Sequence, residues 1–394
     1  MISKKKINSK IGIFSFFAGA GFLDLGFEST NGFETLFVNE YHKPFMEIYK
    51  SSRKGLGIKE PIFGYDTDDI CTFLEDSKGN ELKQNLIRSK ENFDLIGFIG
   101  GPPCPDFSVA GKNKGIKGEN GKLSGTYIEL IVRNQPDFFL FENVKGLYRT
   151  KKHRAFFEEV KLKLISNGYY LTEKLINAIE YGAPQDRERI ILVGFKSDVL
   201  NSFGVKLNGS PILESFNWNA KTKYNAELIF AKKWPKQEPF IENSSKSIPK
   251  GLDKKLTVQY WFEKNDVENH PNSKHYFQPR AGLIKFQTIP EGDDLKKSYK
   301  RLHRWRYSPT AAYGNNEVHL HPYKARRISA AEALAIQSLP KKFIIPEHIS
   351  LTNMFKSIGN GVPYLAAKGI AETISLFIEQ LKNKEVEYAK IISE

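Results

Sequence analysis

Five short, almost wholly apolar runs, with helical periodicity between them, limit this chain to few folds. Residues 11–17 (Ile-Gly-Ile-Phe-Ser-Phe-Phe) lack the alternation of a half-exposed strand, which suits a strand covered on both faces. Thr35–Asn39, Asp94–Ile99, Asp137–Phe141 and Ile190–Phe195 repeat the pattern. Within Arg154–Asn167, residues Phe157, Val160 and Leu164 share one helical face, and Gly168 stands where a C-terminal cap belongs. Strands alternating with helices predict an α/β fold with a doubly wound parallel sheet. The pattern stops near residue 200. Helical periodicity returns at Ser329–Leu339 and Tyr364–Leu381. At 394 residues the chain is too long for one ordinary core. We therefore expect a catalytic, cofactor-binding domain that begins in residues 1–200 and is completed by a helical return over 325–394. A second, smaller domain over 201–324 would interrupt it.

Charge singles out that interruption. Residues 201–324 hold 21 Lys and Arg against 12 Asp and Glu, a net of +9 within a total of +14. All four tryptophans lie there too: Trp218, Trp234, Trp261 and Trp305. A basic, aromatic-rich segment points to an anionic partner, with nucleic acid first. A solvated basic surface is the plainer reading of the charge alone. Only Cys71 and Cys104 are present, which excludes a disulfide-stapled scaffold and a four-cysteine zinc site and fits a reducing, intracellular setting. Lys4-Lys5-Lys6 followed by Ile11–Phe22 imitates a signal peptide, but that run is broken by glycine and followed by Asp24. No run reaches the ~18 apolar residues of a membrane span, so no membrane partner is expected.

Four motifs sit at the ends of the expected strands. Phe17-Ala18-Gly19-Ala20-Gly21 follows the first, where glycines let backbone approach a ligand. Glu40 ends the second strand, where a carboxylate binds a ribose diol, so the pair favours an adenosine-containing cofactor. Gly100-Gly101-Pro102-Pro103-Cys104-Pro105 forms a stiff turn after Asp94–Ile99. Glu142-Asn143-Val144 follows Asp137–Phe141, and Gln185-Asp186-Arg187-Glu188-Arg189 leads into Ile190–Phe195 with Arg187 and Arg189 on one face. Each alone has a plainer reading: an ordinary turn, a core cysteine, a capping glutamate, a charged strand entry. Together they are the groups that activate a pyrimidine ring carbon. Cytosine C5 does not take a methyl group unaided. A thiolate added at C6 makes C5 an enamine carbon, while a carboxyl at N3 and an arginine at O2 steady the ring charge.

With these residues in place, the sequence resembles the DNA (cytosine-5) methyltransferases, in particular those of bacterial restriction–modification systems. Phe17–Gly21 is similar to the family's F-x-G-x-G, Pro103-Cys104 to its P-C, Glu142–Val144 to its E-N-V, Gln185–Arg189 to its Q-x-R-x-R, and Gly359–Pro363 to its G-N-x-V-P. The resemblance implies an S-adenosylmethionine-dependent, Rossmann-like doubly wound domain with a target-recognition domain over the basic insert. It implies Cys104 as the nucleophile, Glu142 at N3, and Arg187 and Arg189 holding the base or the active-site loop. Phe17, Ala18, Gly19, Gly21, Glu40, Asp69, Ile70, Pro103, Leu123, Asn360 and Val362 would surround S-adenosyl-L-methionine. Ser108, Lys112 and Lys114 would meet DNA in a loop that closes on the duplex.

The chain departs from the family pattern in places. Pro105-Asp106 stands where many members have Gln after the cysteine, alanines replace an arginine common in the helix Ser329–Leu339, and Gly361 replaces the usual Ala. The resemblance implies a monomeric bacterial cytoplasmic enzyme acting on double-stranded DNA, with a cognate restriction endonuclease as a partner at the same site. A tRNA cytosine-5 methyltransferase and a non-catalytic DNA-binding protein are the alternatives.

Overall fold

In the computed structural model the described residues are 10–103, 119–205, 210–279, 282–296, 298–311, 313 and 317–393, with backbone alone at 119–121, 152 and 384–393. Seven strands form one sheet: β1 Ile11–Phe16, β2 Phe33–Asn39, β3 Tyr65–Asp66, β4 Leu95–Gly100, β5 Phe138–Val144, β6 Tyr169–Asn177 and β7 Glu188–Lys196. Their order is β3-β2-β1-β4-β5-β7-β6. All five apolar runs lie in strands, and β1 and β4 are buried at every position.

The sheet is not wholly parallel. β1 through β5 pair in parallel, but β7 runs antiparallel to both β5 and β6. The reason is the connection. Only residues 178–187 separate β6 from β7, and the one element among them is the short 3-10 turn Ala178–Tyr181. A parallel return needs a crossover of a dozen residues or more. β7 therefore doubles back beside β6 and slots in against β5. β6 was not expected as a strand: it lies at the sheet edge with a half-exposed centre, so its sequence lacks the apolar run of its neighbours.

Helices cover both faces, as a doubly wound sheet requires. They are α1 Phe22–Glu28, α2 Lys43–Leu56, α3 Asp76–Ser89, α4 Glu119–Asn134, α5 Lys145–Arg149 and α6 Lys151–Ser166, followed by shorter ones and the long helix Tyr364–Ser393. On one face Leu23 and Phe27 of α1 and Ala366, Ile370 and Phe377 of the long helix pack on Ile11, Ile13 and Ile99. On the other, Leu82, Tyr127, Phe157 and Leu164 pack on Phe14, Phe16 and Phe98. Gly168 ends α6 with φ 84, the left-handed conformation expected of it. Among the described residues no helix is long and apolar enough to cross a membrane.

Between β7 and the helix Ala330–Ile336 the described residues add no further strand: the chain runs as short helices, turns and isolated bridges, one of which sets Ile212 beside Leu171 of β6. Irregular backbone needs side chains to satisfy its polar groups. Buried Arg301 donates to Ile289 O at 2.8 Å and His321 O at 2.6 Å, and Arg304 pairs with Glu291 at 2.8 Å. This stretch also shares cores with its surroundings. Leu213 and Phe216 pack in the first cluster, and Trp218 Nε1 donates to Thr172 Oγ1 at 2.8 Å. Val258, Trp261 and Phe262 share a cluster with Ala20, Phe22, Leu334 and Ile358.

Candidate active site

The carboxyl ends of β1, β2, β4 and β5 open onto a cavity of about 590 Å³. The turn after β1 makes one part of its wall. Phe17 takes a positive φ of 53, costly for a residue with a Cβ. Its ring lies edge-on to that of Tyr127, with centroids 6.2 Å apart. Gly19, at φ 59, has open space where a Cβ would stand, so the backbone there is bare to a ligand. Glu40, just past β2, grips this turn: Oε2 accepts from Gly19 N at 2.7 Å and Oε1 from His42 N at 2.8 Å. Burial raises the Glu40 carboxyl above its ordinary range, and the two backbone N–H groups and Lys356 oppose that rise.

Asp69 and Ile70 enter the same cavity at the start of a 3-10 turn, with Asp69 Oδ1 accepting from Cys71 N at 2.8 Å. Leu123 of α4 and Pro103, from the turn after β4, also line it. Asn360 and Val362 reach it from the end of the helix Leu351–Asn360 and the turn that follows. Every expected cofactor residue thus meets in one place except Gly21. That residue caps α1 at φ 77, and its backbone is pressed against Arg53 and Tyr49 rather than the cavity.

Glu142 and Arg189 belong to this cavity as well. They lie diagonally across the antiparallel β5–β7 pair, Glu142 opposite Ile191 and Arg189 opposite Val144, and Arg189 Nε lies 2.8 Å from Glu142 Oε1. Burial holds the Glu142 carboxyl above the usual carboxylate range, against the pull of Arg189 and Arg187. Gly101 leaves the carboxyl room, since a Cβ there would stand 2.7 Å from Glu142 Oε2. Asn143 Oδ1 accepts from Val144 N at 2.8 Å and orients its amide toward Pro102 O.

Arg187 lies elsewhere. It is 1% exposed and does not line the cavity. Its guanidinium donates to Ala311 O at 2.7 Å and Gly359 O at 2.6 Å, tying the end of the basic insert to the residue before Asn360. Its place is that of a strut. Gln185 braces the same seam through Gln337 and Ala311 N. Cys104, Ser108, Lys112 and Lys114 lie outside the described residues.

The cavity also holds residues that the motifs did not reveal: His42, Phe45 and Lys356. The His42 ring packs on Phe45 with centroids 4.4 Å apart, and burial lowers its pKa, with Lys356 adding to that. Lys356 stands four residues before Asn360, one helical turn along the same face. That spacing was the available signal. His42 had none beyond its closeness to Glu40.

Comparison with known proteins agrees with this arrangement. Residues 11–376 match the family model described as C-5 cytosine-specific DNA methylase. Type II methyltransferase M.NmeDI of Neisseria meningitidis serogroup C is 59% identical, over 96% of this chain and 86% of its own length. Type II methyltransferase M.FnuDI of Fusobacterium nucleatum is 32% identical, over 92% and 95%. Among solved structures, an E. coli prophage-encoded protein described as a DNA modification methyltransferase superposes with a TM-score of 0.62 at 20% identity, covering 92% of this chain and 98% of its own. The S. pombe Dnmt2 methyltransferase follows the same fold with a TM-score of 0.55 at 14% identity, over 94% and 99%. The chain therefore belongs to the C-5 cytosine-specific DNA methylase family and is a DNA (cytosine-5-)-methyltransferase.

Proposed function

We propose that this enzyme takes its methyl group from S-adenosyl-L-methionine and places it on C5 of a cytosine flipped out of a specific duplex sequence. We further propose that it is the modification half of a bacterial restriction–modification system, working as a cytoplasmic monomer beside a cognate endonuclease. The reading rests on one observation: a diol-type carboxylate, Glu40, and a buried carboxyl–guanidinium pair, Glu142 with Arg189, line the same cavity.

The residues present fit the cofactor. Glu40 is fixed by two backbone donors, which leaves its outward lone pairs for a ribose diol. Phe17, Ile70, Leu123 and Val362 supply apolar wall for an adenine, and the open face of Gly19 is a cradle that any Cβ would fill. S-adenosyl-L-methionine supplies an electrophilic methyl group when bound.

The chain's own groups do the rest. Cys104 adds through its thiolate to cytosine C6, and the electron pair of the C5–C6 double bond moves to C5. Glu142, whose carboxyl burial shifts upward, hydrogen-bonds N3, and Arg189 steadies both Glu142 and the ring oxygen. Once C5 carries the methyl group, its proton leaves to a base and the C6–S bond breaks, returning the thiolate. Ser108, Lys112 and Lys114 contact the DNA backbone. Flipping costs a few kcal/mol, which contacts to the duplex offset.

DNA carrying 5-fluorocytosine at the target tests this reading. Fluorine does not leave C5 as a cation, so elimination stops and the enzyme stays bonded to C6. We expect an adduct that survives denaturation, whose methylated form requires S-adenosyl-L-methionine, and that Cys104→Ala does not form. N4-methylcytosine as the product, or no adduct from an active preparation, refutes the mechanism.

A further inference from the structure

The glycine-rich turn is held from two sides. Glu40 holds Gly19 from the cavity, and Arg53, near the end of α2, holds the turn from behind. Its Nη2 donates to Gly21 O at 2.5 Å and its Nη1 to Ala20 O at 3.3 Å. Its Nε donates to Glu28 Oε2 at 3.1 Å. The Tyr49 ring lies 3.9 Å from the guanidinium carbon, and its hydroxyl donates to Glu28 Oε1 at 3.3 Å. Arg53 is 2% exposed, and its ion pair with Glu28 is buried on both sides.

Taking a guanidinium out of water is costly unless an anion and acceptors meet it. Here one carboxylate, the Ser52 hydroxyl and two carbonyls do so, and both carbonyls belong to the turn. A Cβ on Gly21 would stand 2.4 Å from Arg53 Nη1 and 2.5 Å from the Tyr49 ring, so guanidinium and turn are in direct contact. Neither Arg53, Glu28 nor Tyr49 lines the cavity. Any effect they have on a ligand passes through the turn or through Asp24, a lining residue on whose carboxyl Arg53 pulls.

We propose that Arg53, anchored by Glu28, is a positioning residue for the cofactor turn: it fixes the Ala20 and Gly21 carbonyls, hence the reach of Ala18 and Gly19 into the cavity, and so sets cofactor affinity without touching the cofactor. This rests on reading the cavity as the S-adenosyl-L-methionine site. A lysine cannot replace it fully, because one ammonium does not span two carbonyls and a carboxylate as a planar fork does.

Calorimetry on the full chain with S-adenosyl-L-methionine and with S-adenosylhomocysteine tests this, beside DNA affinity and steady-state kinetics. Arg53→Met is expected to weaken cofactor binding about tenfold or more and to raise the cofactor KM equally, with kcat and DNA affinity within about twofold. Arg53→Lys is expected to recover part of the loss, ending about threefold weaker than the parent. Should Arg53→Met not fold, Arg53→Lys decides: a lower Tm with unchanged cofactor affinity makes Arg53 merely structural and overturns the proposal. Glu40→Ala separates the two layers. If it weakens cofactor binding while the Arg53 variants do not, the positioning role alone falls. If it too leaves binding unchanged, the cavity is not the cofactor site.

Discussion

Asp24 shows how much a single residue's chemistry depends on where the fold puts it. In the sequence it is a polar break in Phe22–Phe27. In the fold it is 1% exposed: Oδ1 accepts from Ser15 Oγ at 2.8 Å, and Oδ2 is buried with no partner. Burial pushes this carboxyl from its ordinary 3.8 to about 7, although Arg53 pulls the other way. Folding therefore favours the protonated form. The stability this contributes is full below the ordinary value and is lost as pH rises through about 7, because the native state must then hold an uncompensated carboxylate. Against Asp24→Asn, which does not titrate, the parent should lose on the order of a few kcal/mol of stability between about pH 4 and pH 8. Urea denaturation across that range checks it. A constant difference between the two proteins shows that Asp24 does not titrate in the fold. Its burial was not legible because a helix of seven residues carries too little periodicity to define a face.

At the scale of elements, the five apolar runs were legible as strands because burial on both faces leaves few polar positions in them. The direction of β7 was not, since an apolar run reads alike in either sense. Nor was β6, whose edge position lets polar residues in. The same local blindness hid the strut. Arg187 and Arg189 share a strand face in the sequence, yet only Arg189 reaches the cavity. Arg187 stops two carbonyls from going unpaired, Ala311 O within the insert and Gly359 O in the cavity wall. Arg187→Met should lower stability by roughly 2–4 kcal/mol and weaken both cofactor and DNA binding, since one seam serves both. Denaturation with calorimetry for each ligand measures this. A variant as stable as the parent removes the strut.

For the whole molecule, we propose that residues 201–324 choose the DNA sequence and supply much of the salt-dependent affinity, on the grounds of their +9 charge. Exchanging this segment with that of a relative of different known target should transfer the target. A folded, active chimera that keeps the original target refutes the assignment. The cores say where to cut. Leu213, Phe216 and Trp218 pack against the sheet and the long helix, so a chimera joined after Trp218 should be more stable than one joined at residue 201. Thermal unfolding of the two compares them. Equal stability would mean that these contacts carry little weight.

The sequence alone was enough to name the chemistry. Strands are short and local, and the motifs that carry the family resemblance sit within a few residues of their ends, where glycine, proline and charge mark them. Cavity residues as far apart as Phe17 and Val362 were legible only because motifs identified them one by one. Which residues are exposed to the cavity and which brace it from behind was settled by packing. Arg53 and Asp24 look like surface residues in the sequence and Arg187 like a site residue, yet all three are nearly sealed from water in the fold. Burial is a property of the assembled layers, and no local spacing encodes which layer will cover a side chain.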